Sequence, residues 1–94
     1  MIEKKAEKAA RCLKVLAHPK RLVILASLKD DSRTVSEINE FVAIPQASLS
    51  QHLGLMRDRG LLKSRKQGTS VVYSIANKQI LELLEALMKT FCAQ

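Results

Sequence analysis

Ninety-four residues, 47% of them apolar, allow one small domain with an aliphatic core, since Phe41, Tyr73 and Phe91 are the only aromatics. Lys plus Arg number 16 against 9 Asp plus Glu, and the net charge of +7 points to a polyanion as partner. No apolar run approaches the roughly 20 residues of a membrane span, and residues 1–15 carry charges throughout, without a signal-peptide core. The expected location is therefore the cytoplasm, where two cysteines do not form a permanent structural staple.

In chain order, residues 3–17 place Ala6, Ala9, Leu13 and Leu16 at helical spacing, with Cys12 beside them. Lys4, Lys8, Arg11 and Lys14 take other faces, which predicts an amphipathic helix. His18-Pro19 breaks it, because a residue before proline avoids the helical region. His18 is expected to cap or pack. Pro19 can open a second helix, running to about Leu28. Its Leu22, Val23, Leu25, Ala26 and Leu28 make it apolar on most sides, as the central core element would be. Lys29 to Arg33 is a polar loop. Thr34-Val35-Ser36-Glu37 matches a capping box, so a short third helix follows with Val35, Ile38, Phe41 and Val42 inward.

The stretch from Ile44 to Gly60 is a helix with two different faces. Pro45 suits its start and Gly60 its stop. At about 100° per residue, Leu49, Leu53 and Met56 share one face. The opposite face gathers Gln46, Ala47, Ser50, Gln51, Gly54 and Arg57. Amides and hydroxyls bond base edges, and small side chains allow close approach to a groove. An ordinary solvated face would carry Glu and Lys instead. His52 lies at the edge of this face and is expected to pack against the core. After Gly60 the period changes to two. Leu61–Lys66 is one strand, Gln67-Gly68-Thr69 a turn, and Ser70–Ile75 a β-branched second strand. Arg65, Lys66, Gln67, Gly68 and Thr69 cluster at the tip. Asn77 can cap a last helix to about Cys92. Its stripe of Ile80, Leu81, Leu83, Leu84, Leu87, Met88, Phe91 and Cys92 is wide enough to touch both its own core and a second subunit.

An enzyme is disfavoured. The chain has no nucleophile–base pair at recognisable spacing, no Gly-rich phosphate loop and no clustered acids. A protein-docking module would tend to expose an apolar patch on the fourth helix rather than amides and hydroxyls.

The succession of helices and hairpin is that of a winged helix-turn-helix, mainly α, with about five helices and a two-stranded β-hairpin wing, in a single domain over 1–94. The segments L-K-V-L-A-H-P-K-R-L, S-L-S-Q-H-L-x-x-M-R-D-R-G-L-L and K-Q-G-T-S-V-V-Y-S-I resemble the ArsR/SmtB family of bacterial metal- and redox-responsive repressors. The ending A-L-M-K-T-F-C-A-Q is similar to the BigR-type branch, which responds to sulfide and related reactive sulfur.

The resemblance implies a bacterial, cytoplasmic homodimer joined through the first and last helices, here Leu13, Leu16, Leu84, Leu87 and Phe91. It implies two reading helices in successive major grooves of a palindromic double-stranded DNA operator. Gln46, Ala47, Ser48, Ser50 and Gln51 would be the readers, with Ser48 nearer the edge of the face. Arg65, Lys66, Gln67 and Thr69 would be the wing contacts. No cofactor is implied.

Metal-sensing members carry a Cys-x-Cys pair on the third helix, or His and Asp on the last. This chain has Ser36-Glu37-Ile38-Asn39-Glu40 in the first place and neither ligand type in the second. Two distant histidines do not make a zinc site. The resemblance instead marks Cys92 as a sensing thiol for reactive sulfur or an oxidant. The branch's partner cysteine corresponds to Ala26, so Cys12 would have to act in its place. Inert packing of both thiols, and a metal- or small-molecule-responsive repressor, remain the alternatives.

Overall fold

The computed structural model describes residues 1–92, with only the backbone of Cys92. Its elements are α1 (Ile2–Leu16), α2 (Pro19–Ser27), β1 (Arg33–Thr34), α3 (Val35–Phe41), α4 (Gln46–Asp58), β2 (Leu62–Gln67), β3 (Ser70–Ile75) and α5 (Lys78–Cys92). Five helices and a small antiparallel sheet make a winged helix, as the sequence predicts.

The apolar face of α4 is the pivot. Leu49, Leu53 and Met56 are fully buried, against Ile24 and Leu25 of α2 and Ile38 of α3 in one cluster. Gly60 ends the helix region with φ +77, a left-handed geometry that suits glycine. The Leu61 N–H then returns to the Met56 carbonyl at 2.9 Å, so the chain turns directly into the wing. Pro45 takes the N-cap position, one residue before the helix proper, and supplies no side-chain cap.

Local signals set the other boundaries. His18 caps α2, its Nδ1 accepting the Lys20 N–H at 3.2 Å, with Pro19 as first helical residue. The capping box closes as the sequence predicts. The Glu37 N–H donates to Thr34 Oγ1 at 3.2 Å, and the Thr34 N–H donates to Glu37 Oε1 at 2.8 Å. That second bond is the main cause holding the Glu37 carboxyl below its ordinary pKa. Replacing Thr34 with Ala removes one half of the box and is expected to cost about 1 kcal/mol, measurable by urea denaturation. Asn77 Oδ1 accepts the Ile80 N–H at 2.9 Å at the start of α5.

Four expectations need correction. The wing is backed by a third strand, because Arg33 pairs with Tyr73 and Thr34 with Val72, giving the order β1-β3-β2. Two residues carry no alternating pattern, so only the tertiary pairing defines this strand. The hairpin turn is Gly68-Thr69, since Gln67 still pairs with Ser70, and Gly68 takes φ +66. Phe41 is not a core residue. It is 50% exposed, with the Arg33 guanidinium 4.6 Å from its ring centre. Val23, on the outer side of α2, is also exposed, while Ile24 takes the buried position beside Leu25.

Candidate nucleic-acid interface

Helices α3 and α4 form the helix-turn-helix, and a side chain fixes the turn between them. Asn39 Nδ2 donates to the carbonyls of Val42 at 2.8 Å and Ile44 at 3.0 Å. These bonds satisfy carbonyls in a connection too short for regular structure, and they hold α4 at a set angle to α3. Asn39 was not legible as important, since asparagine within a short helix has no distinctive spacing.

On α4, burial of Leu49, Leu53 and Met56 leaves Gln46, Ala47, Ser50 and Gln51 exposed together. Ser48 is half-buried at the margin. On the wing, Lys63 to Ser70 is exposed without interruption, so Arg65, Lys66, Gln67 and Thr69 all meet solvent. Arg65 lies opposite Val72 and Lys66 opposite Val71, so the two cations project from opposite faces of the hairpin. The amide-and-hydroxyl face and the cationic wing are thus two exposed surfaces of one body. Among the described residues the sole ion pair is Arg57 with Asp58 at 3.5 Å, so Arg65 and Lys66 keep their charge uncompensated.

A second polar cluster anchors α4 from behind. Arg21 Nε donates to His52 Nδ1 at 3.1 Å, and its Nη1 donates to the Val15 carbonyl at 3.1 Å. The His18 ring meets the His52 ring edge-on, with centroids 4.8 Å apart. His52 therefore packs toward α2, as expected for a residue at the edge of the exposed face. Burial first, then the Arg21 charge and His18, push its pKa below 6.5. The unfolded chain thus takes up this proton at higher pH than the folded one. Its contribution to stability is complete above about pH 6.5 and declines as pH falls toward the depressed folded value. The wild-type melting temperature is expected to drop between pH 7 and 5.5 by more than that of His52→Gln, followed by circular dichroism.

The apolar surface lies elsewhere. All of residues 1–11 is exposed, so the stripe Ile2, Ala6 and Ala9 is not covered by the described residues. It continues into Leu13, 52% exposed, and on α5 Leu83 at 37% and Phe91 at 72% are exposed as well. Leu13, Ala17, Leu22, Leu87 and Phe91 line a shared apolar groove. Leu84 and Leu16, expected on a subunit interface, are instead core residues of this chain, 2% and 4% exposed, although Leu16 also borders the groove. Leu83 takes the outward place at i−4 from Leu87, a spacing already present in the sequence.

Cys12 is half-buried against the core beside Ile80, in the first turn of α5. The side chain of Cys92 lies outside the described residues. Its backbone ends α5, 12 residues and so about 18 Å beyond Ile80 along the helix.

Comparison with known proteins decides the family. The helix-turn-helix domain family matches residues 16–65. The biofilm growth-associated repressor of Xylella fastidiosa is 34% identical over 93 residues, covering 99% of this chain and 82% of that protein. The chain belongs to the BigR-like winged-helix repressors. The solved structure of the repressor BigR from Xylella fastidiosa superposes with a TM-score of 0.88 over 99% of this chain and 95% of that one. Reduced HlyU from Vibrio cholerae, 34% identical, gives 0.89 over 97% and 96%. The homodimeric winged helix-turn-helix DNA-binding domain Mb0332 of Mycobacterium bovis, 27% identical, gives 0.86 over 94% and 82%. Membership in this family of transcriptional regulators accounts for the helix-turn-helix and wing as a DNA-binding fold. None of the helices among the described residues is long and apolar enough to cross a membrane.

Proposed function

We propose that the protein is a homodimeric transcriptional repressor of the bacterial cytoplasm that binds a palindromic operator when its thiols are reduced and leaves it when they are modified. One observation carries the DNA reading: Gln46, Ala47, Ser50 and Gln51 on α4 are exposed together, and the same domain exposes wing cations that have no ion pair among the described residues. In this reading those four residues, with Ser48 at the margin, contact base edges in the major groove. Arg65, Lys66, Gln67 and Thr69 contact phosphate or the minor groove, giving affinity more than sequence choice. The dimer forms through Leu13, Leu83, Leu87 and Phe91, apolar side chains left exposed or half-buried, next to a first helix whose residues 2–11 are all exposed. A homodimeric neighbour with this fold supports that assembly.

The sensing step is assigned to Cys12 and Cys92. The ending F-C-A-Q and the description of a close structural neighbour as reduced HlyU support a thiol that changes state. A disulfide needs Cα atoms within about 7 Å. The length of α5 beyond Ile80 therefore favours a link between subunits, or separate modification of each thiol, over a bond within one chain. Either would act on α1 and α5, the dimer helices. The two reading helices must stand near 34 Å apart to enter successive grooves, so a change in their spacing releases the DNA. A coupling of about 1–3 kcal/mol gives roughly 5–150-fold regulation.

The test is a gel shift on DNA upstream of the protein's own gene, with sedimentation to read the dimer. Gln46→Ala and Lys66→Ala are expected to weaken duplex binding at least tenfold without altering sedimentation. In the same assay a persulfide donor should release the wild type but not Cys12→Ser or Cys92→Ser. Full response by both serine variants would reject the thiol step, and unchanged binding by both alanine variants would reject the DNA surface.

A further inference from the structure

Away from both the reading face and the apolar stripe, a cavity of about 310 Å³ opens between α1, the end of α4 and the start of α5. Three exposed cations, Lys8, Arg11 and Arg59, line it. Below them lie buried Leu61, half-buried Ile80 and the half-buried thiol of Cys12. No Asp or Glu is among the described residues that line the cavity. None of the three cations is ion-paired among the described residues. A neighbouring cavity repeats the pattern, sharing Arg11 and Arg59 and adding Lys14 and Arg21, again with no carboxylate.

Like charges gathered around one concave site repel each other, and an anion entering it relieves that repulsion. Surface lysines and arginines usually alternate with acids, as on the outer face of an ordinary helix. Here two elements far apart in sequence, α1 and the end of α4, bring three cations to one place, with no acid among the described lining residues. The apolar base matters as well: it gives a ligand body something to bury, which a bare phosphate lacks. The size is at the small end of ligand pockets.

Location separates this cavity from the DNA surface. Arg59 caps the C-terminal end of α4, 13 residues and so about 20 Å from Gln46 at the other end. It is also distinct from the dimer stripe. At about 100° per residue, Lys8 and Arg11 lie well over 90° around α1 from the line of Ile2, Ala6, Ala9 and Leu13.

We infer that this cavity binds a small organic anion, one with a carboxylate, sulfonate or phosphate group on a compact apolar body. The acidic group sits among Lys8, Arg11 and Arg59, and the body lies on Leu61 and Ile80 beside the Cys12 thiol. Binding would tie α1 to the end of α4, joining a dimer helix to the reading helix. The inference is independent of the DNA and thiol-switch reading, and its test uses no DNA.

Cys12 serves as the reporter, in the full chain carrying Cys92→Ser so that one thiol remains. Its rate with 5,5′-dithiobis(2-nitrobenzoate), an aromatic dianion, is compared with its rate toward neutral 2,2′-dithiodipyridine. In each case the thiolate attacks one reagent sulfur, a mixed disulfide forms on Cys12, and the other half leaves as a thiolate. Cys12 is oxidised and the leaving sulfur reduced. Against a free cysteine amide as reference, the dianion is expected to be favoured at least tenfold, with a rate that saturates with reagent concentration. Arg11→Ala with Arg59→Ala should return both features to the reference. The unreactive anion 1-anilinonaphthalene-8-sulfonate should protect Cys12 from the neutral reagent, and the double variant should lose that protection. A preference for the dianion without saturation, or one that survives the double variant, would be a general effect of net charge and would overturn the site. So would absence of protection. Circular dichroism of the double variant establishes that it is folded, and Lys8→Ala, fully on the surface, provides a second variant expected to weaken saturation.

Discussion

Raising the salt concentration from 50 to 200 mM is expected to weaken operator binding by about 10³–10⁵, for a dimer making roughly 6–10 phosphate contacts. The number follows from the wing. Each subunit exposes Lys63, Arg65 and Lys66 on β2 with no ion pair among the described residues, and Arg57, paired with Asp58, lies on the same face of α4 as Gln46. Two copies give enough cations for a contact count in that range. Each neutralised phosphate releases a counterion, so the logarithm of the affinity falls linearly with the logarithm of salt. Lys66→Ala removes one contact per subunit and should reduce the slope by about 2. Gln46→Ala, which removes a proposed base contact, should lower affinity at every salt concentration and leave the slope unchanged. Fluorescence anisotropy with labelled duplex at four salt concentrations separates the two effects. A flat salt dependence would exclude the wing as a phosphate contact.

The two halves of this surface were unequally legible in the sequence. The face of α4 could be read because a 13-residue helix has two sides, and burial of Leu49, Leu53 and Met56 leaves only one arrangement for Gln46, Ala47, Ser50 and Gln51. The wing was legible through its change of period. The capping box at Thr34 and the cap at Asn77 were legible because each is a local rule with its bonds inside four residues. What escaped was non-local. Strand β1 exists only because β3, nearly forty residues on, offers its edge. The Arg21–His52 bond joins positions 31 apart. Phe41 fits an inward helical position by spacing, yet the core takes Ile38 and Val42, and the Phe41 ring lies to one side of them under Arg33 instead. The cavity between Arg11 and Arg59 draws on three elements with no sequence signature in common. Leu16 and Leu84 show the same limit for an interface. Periodicity places a residue on the apolar side of a helix but does not divide that side between its own core and a second subunit.

Leu53→Ala is expected to destabilise the protein by about 2–5 kcal/mol, through lost burial and the cavity left behind. Leu53 is completely buried in the middle of α4, flanked on the same face by Leu49 and Met56, with the closely packed cluster of α2 and α3 around it. A domain of this size loses roughly 4–8 °C in melting temperature per kcal/mol, so the fall is at least about 8 °C. It should be measured at fixed protein concentration, because a dimer's apparent stability depends on mass action. The informative comparison is Ser50→Ala, three residues earlier on the exposed side of the same helix. A surface change of that kind usually stays within about 0.5 kcal/mol, yet Ser50 faces the proposed groove contact, so DNA binding should fall while the melt does not move. Leu53→Ala should reverse the pattern: at a temperature where the variant is folded, its Gln46, Ser50 and Gln51 remain in place and the duplex still binds. On the proposed reading, one helix carries stability on one side and recognition on the other. A melt unchanged by Leu53→Ala, or lowered equally by Ser50→Ala, would mean that the two sides are not divided in this way.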